Sequence, residues 1–419
     1  MQRYARYAAH AASAGGRRCR RLAVFAGLRG ETELVSEVNF HSSPGALPVL
    51  RLLGEDGCLV PGAALPFDTE EALGMYKNMV KVSVVDHVLN ALQRQGRISF
   101  YMTSSGEEAA GVGTVAALSP DDVVWPQYRE LGAFIQRGFS IQQICDQCMS
   151  KADEPGKGRQ MPVHYCDANL NMQAVTSPLT TQVPQAVGAG YAFRVAGEAR
   201  CGAAFFGDGA ASEGDFAVAL NFAATLKAQT LFLCRNNGWA ISTPSSEQYA
   251  GDGIAVRGIA YGMHAIRVDG NDLPAIYLAT KRARDLCVNG GEPVVVEMMT
   301  YRRGHHSTSD DATRYRPGPE AKRMGEEGLE PTSRMRLFLI REGLWTEAEE
   351  EALRDATREE VMASLGRAEA KKFAPVEDMF SDVWAEETPQ LRRQREELFD
   401  HLAQHRDKYA ARLELFEKR

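Results

Sequence analysis

The sequence predicts an α/β protein, a parallel sheet flanked by helices, with an N-terminal arm before it and a helical C-terminal tail after it. Three observations predict this. Residues 201–206 form a short apolar run that ends at Gly207-Asp208-Gly209. Residues 212–227 then show helical spacing, with Phe216, Ala219, Leu220 and Ala223 on one face. Residues 230–234 are a second apolar run, closing on Asn236-Asn237, so the unit reads strand, helix, strand. Further apolar runs at 258–268 and 293–299 extend the sheet, and from Pro331 onward the pattern is helical and highly charged.

The elements follow in order. Residues 1–39 carry Arg3, Arg6, Arg17, Arg18, Arg20, Arg21 and Arg29 among alanines, and no acid precedes Glu31. An Arg-rich, acid-poor leader reads as a mitochondrial transit peptide, with the matrix as destination. Residues 40–96 form an arm and a helix: Gly and Pro keep the arm extended, and Leu73, Tyr76, Met79, Val80, Val84 and Leu89 mark a helix over 69–95. Residues 97–330 form the α/β domain. Ser212 and Asp215 are spaced as a helix cap, and the run 258–268 ends in the turn Asp269-Gly270-Asn271-Asp272. The polar, Gly- and Pro-bearing stretch 301–320 reads as an exposed loop, too long for a simple connector. In the tail, 331–419, Thr346 and Glu349 form a capping box for a helix through 365, and a final helix covers 389–417.

Composition narrows the classes. The chain has 419 residues, 44% hydrophobic, and a net charge of −7, so no basic excess points to nucleic acid. No apolar run approaches a membrane span. The eight cysteines read as reduced thiols. Cys145-x-x-Cys148 has the spacing of half a zinc site or a redox pair, but no second pair exists.

Asp208 and Asn237 end successive apolar runs, where open α/β sheets bind ligands. Each offers a hard oxygen of the kind Mg²⁺ takes together with diphosphate oxygens. A diphosphate also needs cationic forks, and Arg129 and Arg235 are the candidates. The bland alternative is a tight turn at 207–209 and an Asn-Gly turn at 237–238.

With 26 residues between Gly209 and Asn236, the pattern resembles the thiamine diphosphate signature, and with it the thiamine diphosphate-binding fold. The resemblance becomes close when further motifs are read in order: 95–102, 127–130, 156–165, 177–179, 207–214, 234–238 and 303–311. Together they resemble the alpha subunits of the branched-chain 2-oxo acid dehydrogenases, from about residue 65 to the C-terminus. The pyruvate dehydrogenase alpha subunits are the nearest alternative. There the late loop has no adjacent histidines and carries a proline after the first Asp, whereas here it reads Gly304-His305-His306-Ser307-Thr308-Ser309-Asp310-Asp311.

The resemblance implies the following roles. Asp208 and Asn237 hold Mg²⁺ with the backbone carbonyl of Trp239, where the family usually has Tyr. Tyr128, Arg129, Arg235 and His306 approach the diphosphate, and His306 is the catalytic candidate. Ser177, Leu179, Gly207, Gly209 and Ala210 also contact the cofactor. Thr176, Pro178, Thr181 and Gln182 resemble a K⁺ site, and Ser307 matches a regulatory phosphorylation serine, with a kinase and a phosphatase as partners. The acid that activates the cofactor belongs to a beta subunit, so the chain supplies half a site in an α₂β₂ heterotetramer and passes its product to a lipoyl-bearing transacylase core. Two further readings compete. A nicotinamide dehydrogenase would need a Gly-rich dinucleotide loop, and Gly111-Val112-Gly113 and Gly188-Ala189-Gly190 lack the strand, helix and distal acid expected of one. A non-catalytic scaffold or regulatory subunit of the same fold would have no need of Asp208, Asn237, Arg235 and His306.

Overall fold

The computed structural model describes residues 45–326 and 328–418, with the short strands Leu22–Ala23 (β1) and Thr32–Glu33 (β2) and Val38. It divides into two units, 1–45 and 46–419. In the first, β1 and β2 pair antiparallel. Otherwise the leader expected over 1–39 lies outside the described residues, Val38 apart.

In the second unit the arm contributes a strand of its own, Val49–Leu50 (β3), ahead of a long helix, Thr69–Arg94 (α1). Asp68 caps α1 by accepting from Glu71 N, and the Glu71 carboxylate accepts from Asp68 N. Next come Glu108–Ala116 (α2), Val123–Trp125 (β4), Leu131–Gln136 (α3) and Ile141–Cys148 (α4). The core follows as Gln182–Ala196 (α5), Gly202–Gly207 (β5), Gly214–Leu226 (α6) and Thr230–Asn236 (β6). A hairpin of Trp239–Ala240 (β7) and Thr243–Pro244 (β8) leads to Ser245–Gln248 (α7) and Ala255–Ala260 (α8). Then come His264–Asp269 (β9), Leu273–Gly290 (α9) and Val294–Met299 (β10). The tail runs through Gly318–Arg323 (α10), Pro331–Arg341 (α11), Glu347–Ala370 (α12), Pro389–Gln404 (α13) and Arg406–Leu413 (α14).

Six strands form one parallel sheet in the order β3-β9-β10-β6-β5-β4. Its strands are buried on both faces, and alternation along each strand assigns side chains to two separate cores. Ala203, Phe205, Leu231, Leu233, Val294 and Val296 join a large core with α1, α2, α9, α11 and α12. Ala204, Phe206, Phe232, Cys234 and Val295 join a second core with α5 and α6. The connection leaving β6 skips a place to β9, and β10 fills the gap. The carboxyl ends of β4, β5, β6 and β10 therefore open on one side of the sheet, where such folds bind ligands.

Five local expectations shift. Helix α6 starts at Gly214, because Ala210–Ser212 forms a 3₁₀ turn and Glu213 takes the capping position. Only the second half of the run 258–268 is strand. Gly258 belongs to α8, where a Cβ would meet Val295 Cγ2 at 2.6 Å, and the chain turns at Gly262 with φ +80°. The last helix breaks at His405 into α13 and α14. The stretch 301–320 is not simply exposed, since Tyr301, Arg302, Thr308 and Ala312 are buried. Thr346 caps α12 by accepting from Glu349 N, but the expected capping box does not close, because the Glu349 carboxylate takes the Thr346 hydroxyl rather than its backbone N–H.

The seven described cysteines are free. Cys145 and Cys148 both point into the core, where burial raises their thiol pKa, that of Cys148 to about 11. Among the described residues no helix is long and apolar enough to cross a membrane.

Candidate active site

A cavity of about 230 Å³ lies at the carboxyl ends of β4, β5, β6 and β10. Tyr128, Arg129, Leu179, Gly207, Asp208, Gly209, Ala210, Arg235, Asn237, Trp239 and His306 all line it. Residues spread over 179 positions of sequence thus converge on one wall, as their strands dictate: Gly207 ends β5 directly opposite Arg235 of β6. A Cβ at Gly209 would meet Ala240 Cβ at 2.6 Å, so the Gly-Asp-Gly turn packs against β7 only because it lacks a side chain there.

The Asn pair is divided between two buried acids. Asn236 Nδ2 donates to Glu297 Oε1 at 2.7 Å, on the far side of the sheet from the cavity. Asn237 Nδ2 donates to Glu107 Oε1 at 3.3 Å. With its nitrogen thus fixed, Asn237 presents Oδ1 as an acceptor, which takes Trp239 N at 3.1 Å and keeps a second lone pair. Across the β7–β8 hairpin Trp239 faces Pro244, which has no N–H to donate. Asp208 is buried, with Gln248 Nε2 donating to it at 3.3 Å. Burial pushes its pKa up to about 6.

The arginines are held by two buried acids, Glu107 and Glu130. Glu130 accepts from Arg235 Nε, and Glu107 Oε1 accepts from Arg235 Nη1 at 3.2 Å. Burial works against the Arg235 charge, but these two carboxylates outweigh it and hold its pKa above the ordinary value. Arg235 Nη2 is buried and has no hydrogen-bond partner among the described residues, so one arm of the fork is free for an anion in the cavity. Arg129 lies 3.7 Å from Glu107 and donates to Thr103 O at 2.6 Å and His306 O at 2.5 Å. Glu107 also accepts from Thr300 Oγ1 at 2.9 Å, so one carboxylate orients residues from three strand ends. Its position in Gly106-Glu107-Glu108, at the start of a helix, gives no sign of burial in the sequence.

His306 stands between two buried arginines. Arg129 Nη2 and Arg302 Nη1 approach its Nδ1 at 3.3 and 3.5 Å. Nδ1 is therefore the acceptor and Nε2 carries the proton. Burial, then Arg129 and Arg302, depress its pKa to about 3, so the ring is a neutral N–H donor at physiological pH. Arg302 also donates to Ile241 O and Tyr315 OH, and Tyr315 OH donates to Asp310 Oδ2, which accepts from His306 N. Arg302 is a further cavity-lining residue, from the stretch expected to be an exposed loop. The loop bearing these groups is tied down by Thr308 N to Tyr101 O and Arg303 N to Ser105 O, both 3.0 Å. Ser307 lies next to His306 on it, accepting from Ser309 N.

The remaining expected residues lie to one side. Ser177 is exposed and does not line the cavity; its hydroxyl meets His164. Thr181 Oγ1 donates to Pro178 O at 2.9 Å and lies 3.4 Å from Thr176 Oγ1. Gln182 Oε1 is buried without a hydrogen-bond partner among the described residues.

Comparison with known proteins bears on this geometry. Residues 76–377 match the family described as Dehydrogenase E1 component. The chain is 48% identical to a 2-oxoisovalerate dehydrogenase subunit alpha, mitochondrial, of Caenorhabditis elegans over 380 residues, covering 90% of this chain and 88% of that one. It is 48% identical to the protein of that name in Dictyostelium discoideum, covering 87% and 82%. With the Mus musculus protein of that name it shares 46%, covering 89% and 84%.

Proposed function

The chain belongs to the dehydrogenase E1 component family, and on that premise we propose that it is the alpha subunit of a mitochondrial branched-chain 2-oxo acid dehydrogenase. The complex carries out oxidative decarboxylation of branched-chain 2-oxo acids and transfers the acyl group to a lipoyl group on a transacylase core. The observation that carries this reading is Asp208 and Asn237 at the ends of neighbouring strands, on one cavity with Arg129, Arg235 and His306.

Thiamine diphosphate, when bound, supplies the electron sink for decarboxylation. This chain's residues bind and orient it. Asp208, the free lone pair of Asn237 Oδ1 and the Trp239 carbonyl are the Mg²⁺ ligands. The free arm of Arg235 and the Nε2–H of His306 donate to diphosphate or substrate oxygens. Arg129 anchors His306 through its carbonyl, and Tyr128 and Leu179 wall the cavity. Thr176, Pro178, Thr181 and Gln182 take K⁺. Glu107 and Glu130, behind the cavity wall, neutralise arginines, Asp208 faces the metal, and Glu213 lies on the cavity rim. The family resemblance assigns the acid that activates the cofactor to a beta subunit, in an α₂β₂ assembly in the matrix. Ser307 is the site of control by a kinase and a phosphatase.

The chain coexpressed with a beta subunit is expected to release CO₂ from 3-methyl-2-oxobutanoate at least tenfold faster than from pyruvate. Equal or faster turnover of pyruvate would favour the pyruvate reading, and no turnover of either would favour a scaffold.

A further inference from the structure

Behind the exposed Ser177 lies a buried histidine that the reading above does not use. His164 Nε2 is 2.7 Å from Ser177 Oγ, and His164 Nδ1 is 3.1 Å from Pro162 O. A carbonyl only accepts, so Nδ1 carries the ring proton and Nε2 accepts from the Ser177 hydroxyl. The pair is not a base and nucleophile of the triad kind, because the group on Nδ1 is a neutral carbonyl that gives no charge stabilisation to an imidazolium.

The backbone on both sides of this contact is strained. Val163, next to His164, has φ +68°, and Thr180, three residues after Ser177, has φ +62°. Both are β-branched, a class that adopts left-handed conformations only where the surroundings force it, and such outliers gather at ligand sites. Both are also buried, Val163 in the main core. The chain thus bends unfavourably at two places, and between them the His164–Ser177 bond is made. That bond fixes the segment whose next residues are Pro178 and Leu179, and Leu179 lines the cavity.

We propose that His164 is a positioning residue for the cofactor segment: by accepting the hydrogen bond of the Ser177 hydroxyl it locks residues 176–181 and so places Leu179 on the cavity wall. The inference rests on the thiamine diphosphate reading. It predicts that His164 acts only through Ser177.

The test is the thiamine diphosphate dissociation constant of the coexpressed α/β enzyme in Mg²⁺, read by tryptophan fluorescence. Ser177→Ala and His164→Leu should each weaken binding by about tenfold, the scale of one hydrogen bond, and the double variant no further. His164→Gln keeps an acceptor and should recover most of the affinity. Additive losses in the double variant, or wild-type affinity in either single variant, would overturn the proposal. If His164→Leu does not assemble, His164→Gln is compared with and without Ser177→Ala, and an equal further loss in both backgrounds overturns it. A wild-type enzyme that binds no cofactor overturns the functional reading and this inference together.

Discussion

At the residue scale the site is a set of charges arranged for a guest. Asp208 shows this most directly. Its ordinary pKa of 3.8 rises to about 6 through burial. A carboxyl raised in the folded state favours folding below its ordinary pKa, and that contribution is lost as pH rises through about 6. The cofactor-free α/β enzyme should therefore be less stable at pH 8 than at pH 5, by roughly 1.4 kcal/mol from this group, the rest of a span of about 3 kcal/mol being lost already below pH 5. Asp208→Asn removes that loss and the metal ligand together. It should melt several degrees higher than wild type at pH 8 without cofactor and lose Mg²⁺-dependent cofactor binding. Thermal scans across pH check this, and a variant that melts no higher at pH 8 contradicts the cause assigned to the shift. Asp208, Asn237 and Arg235 are legible in the sequence because a glycine turn and an Asn pair punctuate apolar runs. Glu107 is not, because Glu107-Glu108 opening a helix reads as a solvated pair matched to the helix dipole, and only the tertiary fold buries it among arginines.

At the element scale the loop after β10 is the part most changed by folding. Its charged composition predicts exposure, yet its arginines turn inward. Arg302 is buried against Ile241 O and Tyr315, and Arg316 donates to the Arg302, Arg303 and Gly304 carbonyls. Composition records the charge on a side chain and not which backbone carbonyls it will reach. The loop's order hangs on Asp310, which accepts from His306 N and Tyr315 OH. A phosphate on Ser307 adds about −1.5 to −2 charge beside Asp310 and Asp311 and competes for the same arginines. Ser307→Glu in the assembled enzyme should loosen the loop, seen as faster tryptic cleavage between 302 and 316, and should abolish flux to the lipoyl acceptor. Unchanged flux would remove the regulatory role. The strands β5, β6 and β10 are legible as apolar runs, whereas β3 and β4 are too short to carry a pattern, at 2 and 3 residues.

At the scale of the whole molecule, the sheet order brings four strand ends to one cavity, so functional groups from segments far apart in sequence meet there. The two cores follow from the alternation that sends Phe205 to one face of the sheet and Phe206 to the other. The arm as an edge strand, β3 beside β9, follows from Asp272, whose carboxylate accepts from Leu52 N and Leu53 N across 220 positions of sequence. No local pattern reports such a contact. The cavity sets Asp208 and Asn237 beside the free arm of Arg235 and the Nε2–H of His306, so the proposed reading makes this chain the holder of the cofactor and its metal. The most direct test of that claim is a thiamine diphosphate titration of the purified α/β enzyme, with Mg²⁺ and with chelator. Saturable binding with Mg²⁺ at one cofactor per alpha chain, abolished by chelator, is the predicted result; binding that is absent, or indifferent to the metal, would contradict it.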